Sequence, residues 1–298
     1  MKALKLIKSA LPKHTAIIYM VISAVCIASA GFFAKIAMQY TNVQITLLAR
    51  FGVPLLLLIL FFSFYQRWKQ LKFTYAKTHF IRAFFLTLAQ FLLFISIIHL
   101  SLAEATVLYS TGPIFIAIFS FFKNKKINLQ SLIAVLLGAV GVALMMHIEN
   151  GIINPYVIVG LLSGFCLSAS QLLLHSATKK EKNSHVMLFV YLFSTLLSLI
   201  YFGLINIEEE LKTLTPMLSF SIPIIGILIL VGLASLGNQF FRGKAYQQVK
   251  DPASIAPLIY ISILVAGLYD IFFYNHLPNI EVIIGAILIV TSALFSKK

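Results

Sequence analysis

Ionisable side chains are scarce inside the apolar stretches of this chain, and the few found there are its first candidates for chemistry. Only 9 of 298 residues are Asp or Glu, against 23 Lys and Arg. A charge at the centre of a membrane-spanning helix costs ~2.5–3.5 kcal/mol on insertion scales, so each one needs a reason. Arg50 lies near the start of the second apolar run, where it either meets an anionic group or snorkels to the interface. Lys35, near the end of the first run, faces the same choice. Asp270 lies about one turn from the end of the ninth run. It binds a cation, carries a coupling proton, or sits as an interfacial acid. Glu104 begins the fourth run, where a carboxylate favours the helix N-terminus, and capping is its expected role.

Uncharged polar residues deeper in the runs are the better candidates for lining a substrate cavity. Gln90, Gln171, Asn238 and Gln239 offer both donors and acceptors. Tyr109, Tyr260 and Tyr269 add rings with a polar tip. The alternative is interhelical hydrogen bonding, worth ~0.6 kcal/mol per bond on average. The seven histidines show no metal-ligand spacing, and no phosphate-binding glycine loop is present. Cys26 and Cys166 lie inside apolar runs and read as small hydrophobes rather than ligands or a disulfide. Neither a catalytic residue, nor a metal, nor a cofactor is expected. The chemistry on offer is recognition, not bond-making.

These side chains must be positioned by elements suited to lipid. The chain is 60% hydrophobic and only 11% charged, where soluble domains carry about 25% charged residues. Its apolar residues come in runs of about 20, the length that spans a hydrocarbon core. Ten spans are marked at 15–38, 43–64, 79–99, 102–122, 128–147, 155–177, 184–206, 217–247, 252–274 and 279–296. The expected class is an all-α integral membrane protein of ten transmembrane helices. The basic start, with Lys2, Lys5, Lys8 and Lys13, imitates a signal peptide, but the following run is too long for one and reads as a first span. Basic residues alternate along the chain. With Arg82, Arg242 and Lys244 counted among loop residues, 20 of the 23 fall at the termini and in the even-numbered connections. The positive-inside rule then places both termini in the cytoplasm. The net charge of +14 is spread through these short clusters, which argues against nucleic acid as a partner.

The chain also resembles itself. Ser23–Cys26 aligns with Ser163–Cys166, Gln90-Phe91 with Gln239-Phe240, and Gly138-Ala139 with Gly285-Ala286, in preserved order. The repeat unit is five spans, and an odd count forces the second copy to insert with opposite orientation. Inverted repeats of this kind recur in secondary transporters. The organisation is then a cytoplasmic segment at 1–14 and five-helix repeats at 15–148 and 155–296. A repeat relation would also set Gln90 and Gln239 facing one central site. Internal prolines free carbonyls and bend helices, so Gly112, Pro113 and Pro257 are the expected hinges. Gly160 and Gly164 suit close helix packing.

Three stretches resemble a known family. Ala49-Arg50-Phe51, the run Leu102–Phe115 with its Ala-Glu-Ala…Gly-Pro pattern, and Asp251–Leu258 are similar to segments of the EamA family of the drug/metabolite transporter superfamily. That resemblance implies a 5+5 inverted-repeat transporter of amino acids, other metabolites or drugs. It also implies a structural role for Arg50, because the family carries an arginine there across varied substrates. The expectation is a secondary transporter in the inner (plasma) membrane, moving a small organic metabolite such as an amino acid by alternating access. Its partners would be that small molecule and the lipid bilayer. The alternatives are a broad exporter of lipophilic cations and a non-transporting scaffold.

Overall fold

The computed structural model describes residues 2–65, 68, 75–112, 114–116, 118–119, 137, 140–141, 144, 148–149, 152–204, 222–249, 252, 255–275 and 279–295. Nine α-helices are described: α1 Lys2–Ala37, α2 Val43–Phe64, α3 Ala76–His99, α4 Leu102–Tyr109, α5 Pro155–Thr178, α6 Asn183–Leu204, α7 Ile222–Gln248, α8 Ile261–Tyr274 and α9 Ile280–Phe295. A short 3-10 turn, Ala256–Tyr260, leads into α8. Among the described residues, the departure from an all-helical fold is a two-residue antiparallel ladder, Ile148–Glu149 against Ile152–Ile153.

Among the described residues six helices are long and apolar enough to cross a membrane: Thr15–Ala37, Val43–Phe64, Ala76–His99, Pro155–Thr178, Asn183–Tyr201 and Ile222–Gln248. Leu102–Ile116 and Leu258–Tyr274 are shorter apolar helices. The chain is thus a multi-pass membrane protein. The ninth expected span is divided rather than continuous, because its first part forms the 3-10 turn. The fifth expected span, apart from a few residues, lies outside the described residues, as do Pro113 and the acidic stretch Glu208–Glu210.

Local chemistry sets the helix starts. The Asn42 side chain accepts from the Ile45 amide and opens α2. Asn154 does the same for Tyr156, with Pro155 in the first turn of α5. Pro at that position removes only a donor that would have been orphaned. Ser101 and Glu104 form a reciprocal capping box at the start of α4, so Glu104 has the role its position suggested.

Packing is inside-out relative to a soluble protein. Leu56, Leu60, Phe64, Ile222 and Phe272 are exposed on the outside of the bundle, while Arg50, Arg82, Gln90 and Arg242 are buried. Lipid is the solvent such a surface suits. Within the bundle α1 lies along α7 and α3 along α5; α2 touches α6 and α7; α3 touches α6; α1 touches α8; and α4 touches α5 and α8. Two glycines permit the α4–α5 contact. A Cβ on Gly164 would meet the Leu108 carbonyl at 2.7 Å, and one on Gly160 would meet Leu108 Cβ at 2.8 Å. Both distances are shorter than real contacts allow.

The two ends of the bundle are each tied together. At one end His79 Nε2 of α3 lies 3.1 Å from Glu181 Oε2 in the α5–α6 turn, and Lys179 Nζ donates to the Gln247 carbonyl of α7. At the other, His99 stacks on Tyr156, and the ends of α1 and α8 meet the start of α4.

Candidate functional site

Long apolar helices leave their polar side chains few partners, and a group of them meets within the bundle. Arg82 of α3 donates through Nη2 to Gln239 Oε1 (2.8 Å) and through Nη1 to the Val186 carbonyl (3.4 Å). Arg242, one turn beyond Asn238 on α7, donates from Nε to Ser23 Oγ (3.3 Å) on α1. Ser23 Oγ in turn donates to Asn238 Oδ1 (2.8 Å). Gln90 Nε2 donates to the Tyr109 hydroxyl (2.6 Å), and the Tyr246 hydroxyl donates to Gln171 Oε1. Arg50 lies over the Phe94 ring, 5.4 Å from its centroid.

These pairs form one electrostatic neighbourhood. Arg50 interacts with Tyr109, Tyr191 and Arg242, and Arg82 interacts with Tyr191 and Arg242. Tyr191, on α6, is within reach of all three arginines, and its hydroxyl donates to the Ser235 carbonyl (2.8 Å). The three arginine residues are each 1% exposed. A guanidinium stays protonated at physiological pH, and a buried charge left without its counter-charge is costly, roughly 3–5 kcal/mol in partner-removal experiments. Here three like charges share one interior, and no described carboxylate pairs with any of them. Among the described residues, Arg50 Nη1, Arg82 Nε and both Nη1 and Nη2 of Arg242 are buried without a hydrogen-bond partner. So are Gln90 Oε1 and Gln171 Nε2. Among the described residues the core therefore holds buried donors, and one acceptor in Gln90 Oε1, that no neighbour satisfies.

The structure sorts the expected site residues into three groups. Gln90, Tyr109, Gln171, Asn238 and Gln239 belong to the polar core with Arg50. Gln90 and Gln239 do not bond each other; each has its own partner in that core. Tyr260 and Tyr269 lie elsewhere. Tyr260 is buried in an apolar cluster with Val107, Leu108, Val157 and Ile263, and Tyr269 stacks on Phe32 and contacts Ser29 Oγ at 2.9 Å.

Lys35 and Asp270 form the third group, an ion pair with no arginine among its contacts in the described residues. Lys35 Nζ lies 3.5 Å from Asp270 Oδ1 and over the Tyr274 ring at 4.4 Å. The Asp270 carboxylate accepts from the Ala103 amide (2.6 Å) and the Leu102 amide (3.4 Å). It thus closes the N-terminus of α4, where the helix dipole favours negative charge. Lys35 and Arg50 thus each have a neighbour within the protein, Lys35 the Asp270 carboxylate and Arg50 the Phe94 ring.

Gly112 ends the α4 region, buried, with its carbonyl accepting from Ser168 Oγ (2.9 Å) of α5. Pro257 sits in the 3-10 turn before α8. Both are at helix interruptions.

Sequence reasoning missed Arg82, Arg242, Tyr191, Tyr246 and Ser23. Arg82 and Arg242 had been counted with basic loop residues, yet both lie within helices and are buried. The missed signal is periodicity. Asn238, Arg242 and Tyr246 repeat at i, i+4, i+8 on α7, which stacks them on one face.

Comparison with known proteins agrees with the membrane reading. The EamA-like transporter family matches residues 14–147, the first of the two expected repeats. The mouse (Mus musculus) solute carrier family 35 member G1 is 27% identical over 228 residues, covering 72% of this chain and 59% of that protein. A Rickettsia prowazekii (strain Madrid E) S-adenosylmethionine uptake transporter is 22% identical over 192 residues, covering 64% of this chain and 61% of its own length. The chain therefore spans about three fifths of both curated relatives. One solved crystal structure superposes with a TM-score of 0.60 at 16% identity, covering 97% of this chain and 96% of that one, a likeness of fold alone. The family and both curated relatives are carriers by name, not enzymes.

Proposed function

We infer, from a chain whose residues 14–147 belong to the EamA-like transporter family, a secondary transporter that carries a small organic metabolite across the membrane by alternating access. The observation that carries this reading is the polar core itself. Side chains from α1, α2, α3, α4, α5, α6 and α7 contribute to one buried polar region that gathers the three buried arginines. Polar groups at that depth are expensive, and a solute passing through is the use that offsets the cost.

The way the helices pair supports an inverted-repeat design. Exchanging α1 with α5, α2 with α6, α3 with α7 and α4 with α8 turns the α1–α7 pair into α5–α3. The same exchange turns α2–α7 into α6–α3 and α1–α8 into α5–α4, and all six pairs occur. The α2–α6 and α4–α8 pairs map onto themselves, as pairs on a two-fold axis would. Arg50 and Tyr191 are matched under this exchange: each lies eight residues beyond the asparagine at the start of its helix. Two halves of opposite orientation supply outward- and inward-open states of similar energy. The halves 15–148 and 155–296 rock about the interruptions at Gly112 and Pro257, with both termini cytoplasmic and the protein in the plasma membrane.

The S-adenosylmethionine relative and the amino-acid expectation both place amino-acid-like compounds in the first panel to try. The test is uptake of labelled amino acids, S-adenosylmethionine, organic acids, nucleosides and quaternary amines by proteoliposomes, with and without a pH gradient. Saturable uptake of one class, lost in Gln90→Ala and Gln239→Ala, is the expected result. Folded protein that moves no member of the panel, and confers no efflux in cells, would instead mark it as a scaffold.

A further inference from the structure

We propose that Arg50, Arg82 and Arg242 form the binding site for a small organic anion of at least two negative charges, borne by carboxylates or a phosphate. The proposal rests on the transport reading above and names the substrate class of the same polar core.

Charge balance within the described structure is the first argument. Each described carboxylate is engaged or placed elsewhere. Asp270 is bound to Lys35 and α4, Glu104 closes its capping box, and Glu181 faces His79. Glu149 sits in the two-residue ladder, and Glu281 lies in the first turn of α9. None is paired with the arginines, so the interior carries positive charge without a counter-ion from the described residues.

Free donors are the second argument. A purely structural arginine spends its nitrogens on carbonyls and amides. Arg82 does so in part, but its Nε is left over, as is Nη1 of Arg50. Arg242 keeps both terminal nitrogens unpartnered while Nε is held by Ser23. A pair of parallel N–H donors on a planar fork fits the two oxygens of a carboxylate or phosphate. Tyr191 does not compete for that role as a donor, because its hydroxyl is already given to the Ser235 carbonyl.

Placement along the bundle is the third. Arg82 lies six residues into α3 and Arg242 six residues before the end of α7, each ~9 Å from the end of the bundle tied by His79 and Glu181. Arg50 lies fourteen residues before the end of α2 on that side, or ~21 Å deep. The charges form a ladder from ~9 to ~21 Å below that end, along which an anion trades one guanidinium for the next. A lipophilic cation would be repelled at every step. A zwitterion would find partners for its carboxylate but no described carboxylate in the core for its ammonium group.

The test is calorimetric titration of the full chain in lipid nanodiscs with succinate, glycerol 3-phosphate, inorganic phosphate, glutamine and tetraethylammonium. At least one dianion is expected to bind saturably and more weakly as salt rises, with glutamine and tetraethylammonium inert. The succinate and phosphate arms separate carboxylate from phosphate recognition. Arg50→Gln and Arg242→Gln should each weaken binding at least ~10-fold, the scale set by losing one buried charge contact. Arg50→Lys should lose less, and Lys179→Gln, which removes a charge at the bundle end, should change nothing. If the Gln variants do not fold, the charge preference of the native protein and the Lys variant decide alone. Failure of every dianion to bind folded protein overturns the proposal, as does binding that survives all arginine substitutions. Uptake of the same panel separates the two ideas. Arginine-dependent binding without uptake keeps the site and removes the transporter; uptake of glutamine or tetraethylammonium without dianion binding does the reverse.

Discussion

Asp270 was a candidate for proton coupling because it is an acid deep in an apolar run, yet its carboxylate is fully engaged by an ammonium group and two amides. Breaking a buried pair from one side leaves the other charge stranded, at roughly 3–5 kcal/mol for a fully buried partner. The Lys35 side chain keeps 20% exposure, which argues for the lower end. Asp270→Ala should therefore destabilise by ~3 kcal/mol, measured as a lowered unfolding temperature in detergent. Lys35→Met combined with Asp270→Asn should recover part of that loss, because no charge is then left alone. The double variant should also keep any dependence of uptake on a pH gradient, and losing that dependence would return Asp270 to a coupling role. The sequence exposed which residues needed explaining, since the cost of burial is local. It did not expose their partners: Asp270 and Ala103 are 167 positions apart, and no spacing rule reaches that far. The arginines were hidden differently. Charge clusters near span ends satisfy the positive-inside rule whether they lie in loops or one or two turns inside a helix, so Arg82 and Arg242 were legible only through helical periodicity.

At the scale of the helix, apolar runs and caps were the readable features. The starts of α2, α4 and α5 fall within a residue of the expected spans, because Asn42, Ser101 and Asn154 are local signals. The ninth span was less readable. Its split into a 3-10 turn and α8 follows a Pro-rich stretch that hydropathy averages over. Small-residue packing was readable too, and it yields a graded prediction. A methyl at Gly164 would drive into the α4 backbone at the Leu108 and Tyr109 carbonyls, which cannot rotate away. Overpacking of this kind costs ~1–3 kcal/mol, so Gly164→Ala should lower the unfolding temperature and shift the α4–α5 contact. Gly52, in mid-α2, has nothing within 4 Å of the added atom. There Gly→Ala gains up to about 1 kcal/mol of helix propensity. Equal melting of the two variants would show that α4 and α5 are not in the tight contact described.

For the whole molecule, sidedness joins the charge pattern to the packing. The bundle end tied by His79, Glu181 and Lys179 gathers the start of α3, the α5–α6 turn and the end of α7. Those are the segments that carry the basic clusters, and the opposite end holds Asn275 at the close of α8. Alternating basic clusters alone cannot tell whether segments distant in sequence share a surface; the contacts between α3, α5, α6 and α7 show that they do. If that surface is cytoplasmic, a cysteine at Lys179 in a Cys26→Ser, Cys166→Ser background should react with a membrane-impermeant maleimide only in inside-out vesicles. A cysteine at Asn275 should react only in intact cells or spheroplasts. The reverse pattern would keep the fold and invert its orientation, placing the deepest arginine nearer the cytoplasm and the entrance of the charge ladder outside. Labelling of both from one side would contradict the helix count between them, and with it the opposed halves on which alternating access depends.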